Sequence, residues 1–328
     1  METIGTPLLW IAFAILLIIA LAIDLFVMNR RGAHRVGFRE AGLWSAVWIA
    51  VALAFNLALW LWLRSQGDVE TADRVGMEFL TGYLIEKALA VDNIFVFLML
   101  FTRFGVPAEQ QQRVLVYGVL GAIVLRAIMI FIGAALIARF HWVLYLFGAF
   151  LLLTGLRMLM SAGHTPDIAN SKLLRALQRR LPLTDRYHAG ALRVNDNGRW
   201  LYTPLFLVIV LVGVTDLIFA VDSIPAIFAI TLDPFIVLTS NIFAVLGLRA
   251  LYFLLAGMAE RFHLLSYGLA LVLVFIGIKM LLLEIYKIPV GVALLGVAAL
   301  IGGAIALSLL RPPPHATTDP SDAPPPPT

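Results

Sequence analysis

Apolar residues run through this chain in long blocks parted by short charged stretches, and the blocks are as long as bilayer-spanning helices. A helix needs roughly 20 mostly apolar residues to cross the hydrocarbon core. Nine blocks meet that need: about 8–28, 43–63, 77–101, 114–138, 142–160, 204–231, 236–258, 264–284 and 289–310. The narrowest partings are Arg139-Phe-His141 and Lys287-Ile-Pro289. The pattern predicts an all-α polytopic membrane protein: a transmembrane domain over 1–310 with a cytoplasmic loop at about 161–202, and a tail at 311–328.

Polar residues interrupt two of these blocks in the same way. Asp216 and Asp222 stand in a run otherwise apolar from about Leu205 to Ile230, and Glu86 and Asp92 stand in the third block. Each copy reads acid, five residues, Ala-Val-Asp, a small polar residue (Asn93 or Ser223), then Ile. A carboxylate near the bilayer centre costs ~3 kcal/mol on insertion scales, so intramembrane acids point to function. Two matching pairs read as an ion pathway.

The duplication extends further. Ala138–Leu159 aligns with Glu260–Leu281 with eight identities in 22 positions. Between acid motif and this segment each copy has a span bearing one Arg, Arg126 and Arg249. Spans three to five (about 77–160) therefore repeat as spans six to eight (about 204–284). Three is odd, so the units enter the membrane from opposite sides, an inverted repeat of the kind secondary transporters use.

Composition agrees with a membrane protein: 61% hydrophobic, 13% charged, mean hydropathy +0.95, against roughly 45–50% and 25% for soluble domains. The net charge of +4 and pI of 9.5 come from basic loops rather than a nucleic-acid surface. Arg30, Arg31, Arg35 and Arg39 fill the first connection, and Lys172, Arg175, Arg179, Arg180, Arg186, Arg193 and Arg199 the long one. Basic loops stay cytoplasmic, which places the N-terminus outside and the C-terminus inside. The first apolar run lacks a basic n-region and a small-residue cleavage site, and reads as a retained span. Ser171–Leu181 suits either an interfacial helix on anionic lipid or a basic cytosolic helix. Asn195-Asp-Asn-Gly198 predicts a small hairpin, and the Pro-rich tail predicts disorder.

The candidate site offers oxygen. Glu86 and Asp92 lie about 9 Å apart along a straight helix and ~120° apart around it, so they do not share a face, whereas Glu86 and Asn93 nearly do. Pro225 removes the hydrogen bond to the carbonyl of Val221, and a broken or bent helix there would gather ligands. The carboxylates, the amides Asn93 and Asn241, the hydroxyls Thr215 and Ser223 and freed carbonyls suit hard cations such as Mn²⁺, Mg²⁺ or Ca²⁺. With no Cys, and all six His in loops, tails or helix ends, Zn²⁺ and Cu⁺ fit poorly. Carboxylates in such a site also exchange protons. Lys87, Arg126 and Arg249 are the charge-balancing candidates. They also allow a blander reading, a charge-neutral fastening between helices. Asp24, near the end of span one, suits a snorkelling or structural role, and Lys279 and Glu284 lie towards helix ends. The pattern is not that of an enzyme: an intramembrane aspartyl protease shares only the two acids, and a haem or quinone protein would need paired His within spans.

The stretches Gly82–Asn93, Val116–Arg126, Phe219–Phe228, Asp233–Asn241 and Gly247–Ala250 resemble the TerC family of bacterial and plastid membrane proteins, in particular its Alx-like branch. The resemblance covers about 5–305. It implies metal-ion homeostasis, foremost Mn²⁺ export, with an association with tellurite resistance and kinship with the LysE-type exporter superfamily. Carried over by motif position, the implied ion-handling residues are Glu86, Asp92, Asn93, Asp216, Asp222 and Ser223. The family often has Glu where this chain has Gly213. The expectation is an inner-membrane exporter of a divalent cation, with Mn²⁺ as cargo rather than a tightly bound cofactor and protons as the exchange partner. The alternative is a non-transporting scaffold or sensor in metal, pH or redox stress.

Overall fold

In the computed structural model the described residues are 3–29, 37–161, 181–184, 187, 190–196, 199–256 and 264–310. The amphipathic segment at 171–180 and the Pro-rich tail lie outside them. Ten helices and one hairpin are seen among the described residues. They are α1 (Pro7–Asn29), α2 (Phe38–Ser65), α3 (Val69–Arg103), α4 (Ala108–Arg139), α5 (Val143–Ser161), α6 (Pro204–Phe228), α7 (Pro234–Val245), α8 (Leu248–Ala256), α9 (Leu265–Leu281) and α10 (Val290–Leu310), with β1 (Arg193–Asp196) and β2 (Arg199–Tyr202) between α5 and α6. The protein is an all-α polytopic membrane protein.

Seven stretches are long and apolar enough to cross a membrane on length and composition alone: α1, α2, α4, α5, α6, the α7–α8 pair and α10. α9 is apolar but has 17 residues. α3 is long, at 35 residues, but carries charges through its length. The helix that hydropathy penalises is thus the one bearing Glu86 and Asp92. Its start is set by Asp68, whose carboxylate accepts a hydrogen bond from the Thr71 backbone N–H at 2.9 Å, satisfying a donor the first turn leaves free.

Burial sorts the bundle into inside and outside. In α7–α8, 94% of the hydropathy window is buried, against 17% in α1 and 22% in α10. Around α7, the rings of Phe13, Phe55, Phe79, Phe235 and Phe243 form a continuous aromatic cluster. α3 packs on α6 and α7, and α4 on the same two helices.

The seventh predicted span is two helices rather than one. α7 ends at Val245, and Gly247 takes φ +80°, a conformation that favours glycine, before α8 begins. Trp48 packs so close that a Cβ on Gly247 would lie 2.7 Å from its side chain. Conversely, α6 continues unbroken through Pro225. The discontinuity expected at Pro225 falls at Gly247 instead. A proline costs a helix one hydrogen bond and bends it, whereas a left-handed residue turns the chain out of the helix.

α5 and α9 make the most extensive helix pair. A Cβ on Gly155 would stand 2.8 Å from the Ala270 carbonyl and from Val274, and one on Gly277 would stand 2.7 Å from the Leu152 nitrogen and 2.9 Å from the Gly148 carbonyl. In the alignment of Ala138–Leu159 with Glu260–Leu281, Gly155 matches Gly277, Gly148 matches Ala270 and Leu152 matches Val274. The contacts are therefore reciprocal.

Between α5 and α6, β1 and β2 pair antiparallel with Asp196 opposite Arg199, the register of the expected hairpin. The segment before it is tied to the bundle: Tyr187 Oη donates to the Phe104 carbonyl at 2.7 Å, and Arg113 Nη1 to the Gly190 carbonyl at 3.2 Å.

Candidate ion site between α3 and α6

A small cavity of about 40 Å³ lies between α3 and α6, lined by Glu86, Asp92, Asn93, Arg126, Asp222 and Ser223 together with apolar side chains that include Met158 and Phe219. Glu86 and Asp92, which a straight helix would turn apart, both reach it. Asp92 meets it from a half-buried position.

The four motif acids are held in two ways. The Arg126 guanidinium, 1% exposed, pairs with Glu86 and makes a fork with Asp216: Nη2 donates to Oδ1 at 3.0 Å and Nε to Oδ2 at 3.3 Å. Its Nη1 also donates to Asn241 Oδ1 at 3.3 Å. One side chain of α4 thus joins α3, α6 and α7. Asp92 and Asp222 instead meet hydroxyls. Ser266 Oγ on α9 donates to Asp92 Oδ1 at 2.8 Å, and the Thr154 side chain on α5 hydrogen-bonds Asp222. Ser266 and Thr154 had no sequence signal, because a lone hydroxyl in an apolar span is common and usually bonds its own helix.

Oxygen faces the cavity without protein partners. Glu86 Oε2, Asn93 Oδ1 and Ser223 Oγ are buried and make no hydrogen bond within the protein. Such groups are uncommon, since buried polar atoms are nearly always satisfied. Among the described residues no three His, Asp or Glu side chains form a metal-holding group. Among the described residues the set at this cavity is Asp92 and Asp222 with no paired base, Glu86 paired with Arg126, an amide and a hydroxyl.

Besides Asp216, which Arg126 holds outside the cavity lining, four sequence candidates stand elsewhere. Thr215 Oγ donates back to the Leu211 and Val212 carbonyls of its own helix, each at 2.9 Å. Lys87 Nζ does not meet a motif acid; it donates to the Ala244 and Leu246 carbonyls at 3.1 and 3.4 Å, oxygens that the α7–α8 break releases. Arg249 pairs with Asp24 of α1 at 3.1 Å and also donates to the Asp24 carbonyl, so it balances an acid outside both motifs. Asn241 touches Arg126 rather than the cavity. At Gly213 no atom lies within 4 Å of where a Cβ would be.

A wider cleft of about 1040 Å³ opens at the other end of α3 and α6, with Arg74, Glu78, Thr231, Asp233 and Lys279 on its walls. Glu78, 5% exposed, accepts from Thr231 Oγ1 at 2.7 Å and from Arg74 at 3.2 Å. Lys279, 4% exposed, donates to the Ala229 carbonyl at 2.7 Å. Its place near a helix end concealed a buried role in holding the C-terminus of α6.

Residues 71–312 match the family described as "Integral membrane protein TerC family". The chain belongs to the TerC family. It is 58% identical over 294 residues to the "Putative membrane-bound redox modulator Alx" of Escherichia coli K12, covering 90% of this chain and 92% of that one. The protein of the same name from Photorhabdus laumondii is 51% identical over 309 residues, covering 94% and 97%. The "Uncharacterized membrane protein STKORF319" of Myxococcus xanthus is 46% identical over 327 residues, covering 99% of each. No solved structure matches the chain.

Proposed function

We propose that this TerC protein exports a divalent cation, with Mn²⁺ as its substrate, across the bacterial inner membrane in exchange for protons. The observation that carries the reading is the oxygen-lined cavity between the two copies of the acid motif. Asp92 and Asp222 supply two negative charges, and Asn93 Oδ1 and Ser223 Oγ supply neutral oxygens with no competing protein donor. Hard divalent cations take such a set, and carboxylates also accept protons. Glu86 and Asp216, held by Arg126, serve as outer ligands or proton carriers. The reciprocal contacts of Gly155 and Gly277 support an inverted repeat, in which α3–α5 and α6–α9 rock about the site to expose it alternately. The basic connections support a cytoplasmic C-terminus.

The test is Mn²⁺ uptake into proteoliposomes, wild type beside Asp222→Asn, with and without a pH gradient. Gradient-dependent uptake that the substitution abolishes is the expected result. A well-folded protein that moves neither Mn²⁺, Mg²⁺ nor Ca²⁺ overturns the reading in favour of a second one, a membrane scaffold or sensor. The Arg126 network favours that second reading, since a buried fastening suits a protein that does not move. The relatives' name speaks of redox modulation. With no cysteine in the chain, thiol–disulfide exchange by its own side chains is excluded.

A further inference from the structure

Among the described residues four bases lie within the bundle, Lys87, Arg126, Arg249 and Lys279, and of these Arg126 alone lines the cavity, Lys279 being held by the Ala229 carbonyl. Lys87 is taken up by carbonyls of the α7–α8 break and Arg249 by Asp24, while Arg126 lines the cavity and holds Glu86 and Asp216. Among the described residues no salt bridge joins a base to Asp92 or Asp222. We propose that Arg126 is a resident counter-cation that sets the valence of the cargo. With it the cavity lining, the three carboxylates Glu86, Asp92 and Asp222 beside one guanidinium, carries −2, matched to one divalent ion.

This rests on the transport reading of the cavity. A guanidinium does not give up its proton in a protein, so its charge is permanent. Its fork on Asp216 fixes where that charge stands. A mobile cation entering beside it meets two carboxylates already engaged and two that are held only by hydroxyls. Arg126 also opposes the cargo across a cavity of about 40 Å³, weakening retention and favouring release.

The experiment is calorimetric titration of the purified full-length chain with Mn²⁺ alone and with Tb³⁺ alone, for wild type, Arg126→Gln and Arg126→Lys. Thermal melts establish that each variant is folded. In Arg126→Gln the expected result is Mn²⁺ binding roughly tenfold tighter or more, with a larger gain for Tb³⁺, because a nearby positive charge is gone. Arg126→Lys keeps a positive charge but loses the fork on Asp216, and is expected to gain less affinity than Arg126→Gln. A merely structural fastening predicts the opposite, weaker binding in the glutamine variant. Folded Arg126→Gln that binds no tighter than wild type overturns the inference while leaving the transport reading intact. Wild type that binds no Mn²⁺ at millimolar concentration overturns the transport reading itself. Should Arg126→Gln not fold, Arg126→Lys decides: a folded lysine variant that keeps the charge yet binds Mn²⁺ tighter than wild type sinks the proposal, and one that binds no tighter upholds it.

Discussion

The two copies of the acid motif match in sequence and differ in their electrostatic surroundings. In the first, Arg126 from the following span turns inward to Glu86 and reaches across to Asp216 of the second. In the second, Arg249 from the corresponding span turns to Asp24 on α1, a helix outside the repeat. The first-copy arginine therefore serves acids of both copies, and the second-copy arginine serves neither. Their cavity-facing aspartates are treated alike: each meets a hydroxyl on a helix of the α5–α9 pair. The two hydroxyls do not correspond, since Ser266 falls opposite Leu144 and Thr154 opposite Ile276 in the alignment, so the two aspartates reach a similar setting through different positions.

The sharpest test of the shared part is Asp92→Asn beside Asp222→Asn. Each is expected to lower Mn²⁺ uptake by about 100-fold, since each removes one of two charges facing the ion. Unequal losses would mean that the copies contribute differently despite their matching geometry.

Next comes the part that differs. Glu86→Gln and Asp216→Asn each leave Arg126 with one carboxylate, and breaking a buried pair costs about 3 kcal/mol or more. Asp216→Asn is expected to lower Tm further, because it removes one arm of the fork and the negative charge behind the other. Equal melting temperatures would argue that Glu86 holds the guanidinium as firmly as Asp216 does.

Gly155→Ala and Gly277→Ala probe the reciprocal helix pair. Each Cβ would enter backbone atoms closer than 3 Å, an overpacking that costs roughly 1–3 kcal/mol. Matching losses are expected, and a large difference would break the proposed symmetry. Asp24→Asn removes the charge that holds Arg249, but the asparagine keeps an acceptor and Arg249 keeps its bond to the residue 24 carbonyl. Because a buried guanidinium is left without its carboxylate, about 3 kcal/mol of stability is expected to be lost, with uptake per folded molecule unchanged.

The smallest effect is at the α3 N-terminus. The Thr71 contacts hold the Asp68 carboxyl below its ordinary range. A carboxyl whose folded pKa is depressed stabilises the fold above its unfolded pKa and loses that contribution as pH falls through the folded value. The Tm difference between wild type and Asp68→Ala should therefore be present at neutral pH and shrink in acid.

Much of the architecture was legible in the chain, because a bilayer demands long apolar blocks and leaves few alternatives. The helical blocks, the hairpin and the acids worth watching all carry local signals. Side-chain partnership across helices does not. Nothing near Arg249 in sequence points to Asp24, and nothing distinguishes Ser266 or Thr154 from other hydroxyls in apolar runs. Helix breaks were only half legible: Pro225 is a strong local signal, yet the chain turns at Gly247, where Trp48 and Lys87 favour the left-handed conformation and the released carbonyls.

The amino-acid sequence alone determined that this protein is a helical membrane protein with two acid-bearing segments, because hydropathy and charge act over a few neighbouring residues. Tertiary structure decided which acids are neutralised by an arginine and which face the cavity beside a hydroxyl. That choice depends on distances of a few ångströms between helices far apart in the chain, and Coulomb and hydrogen-bond energies follow those distances rather than the order of residues.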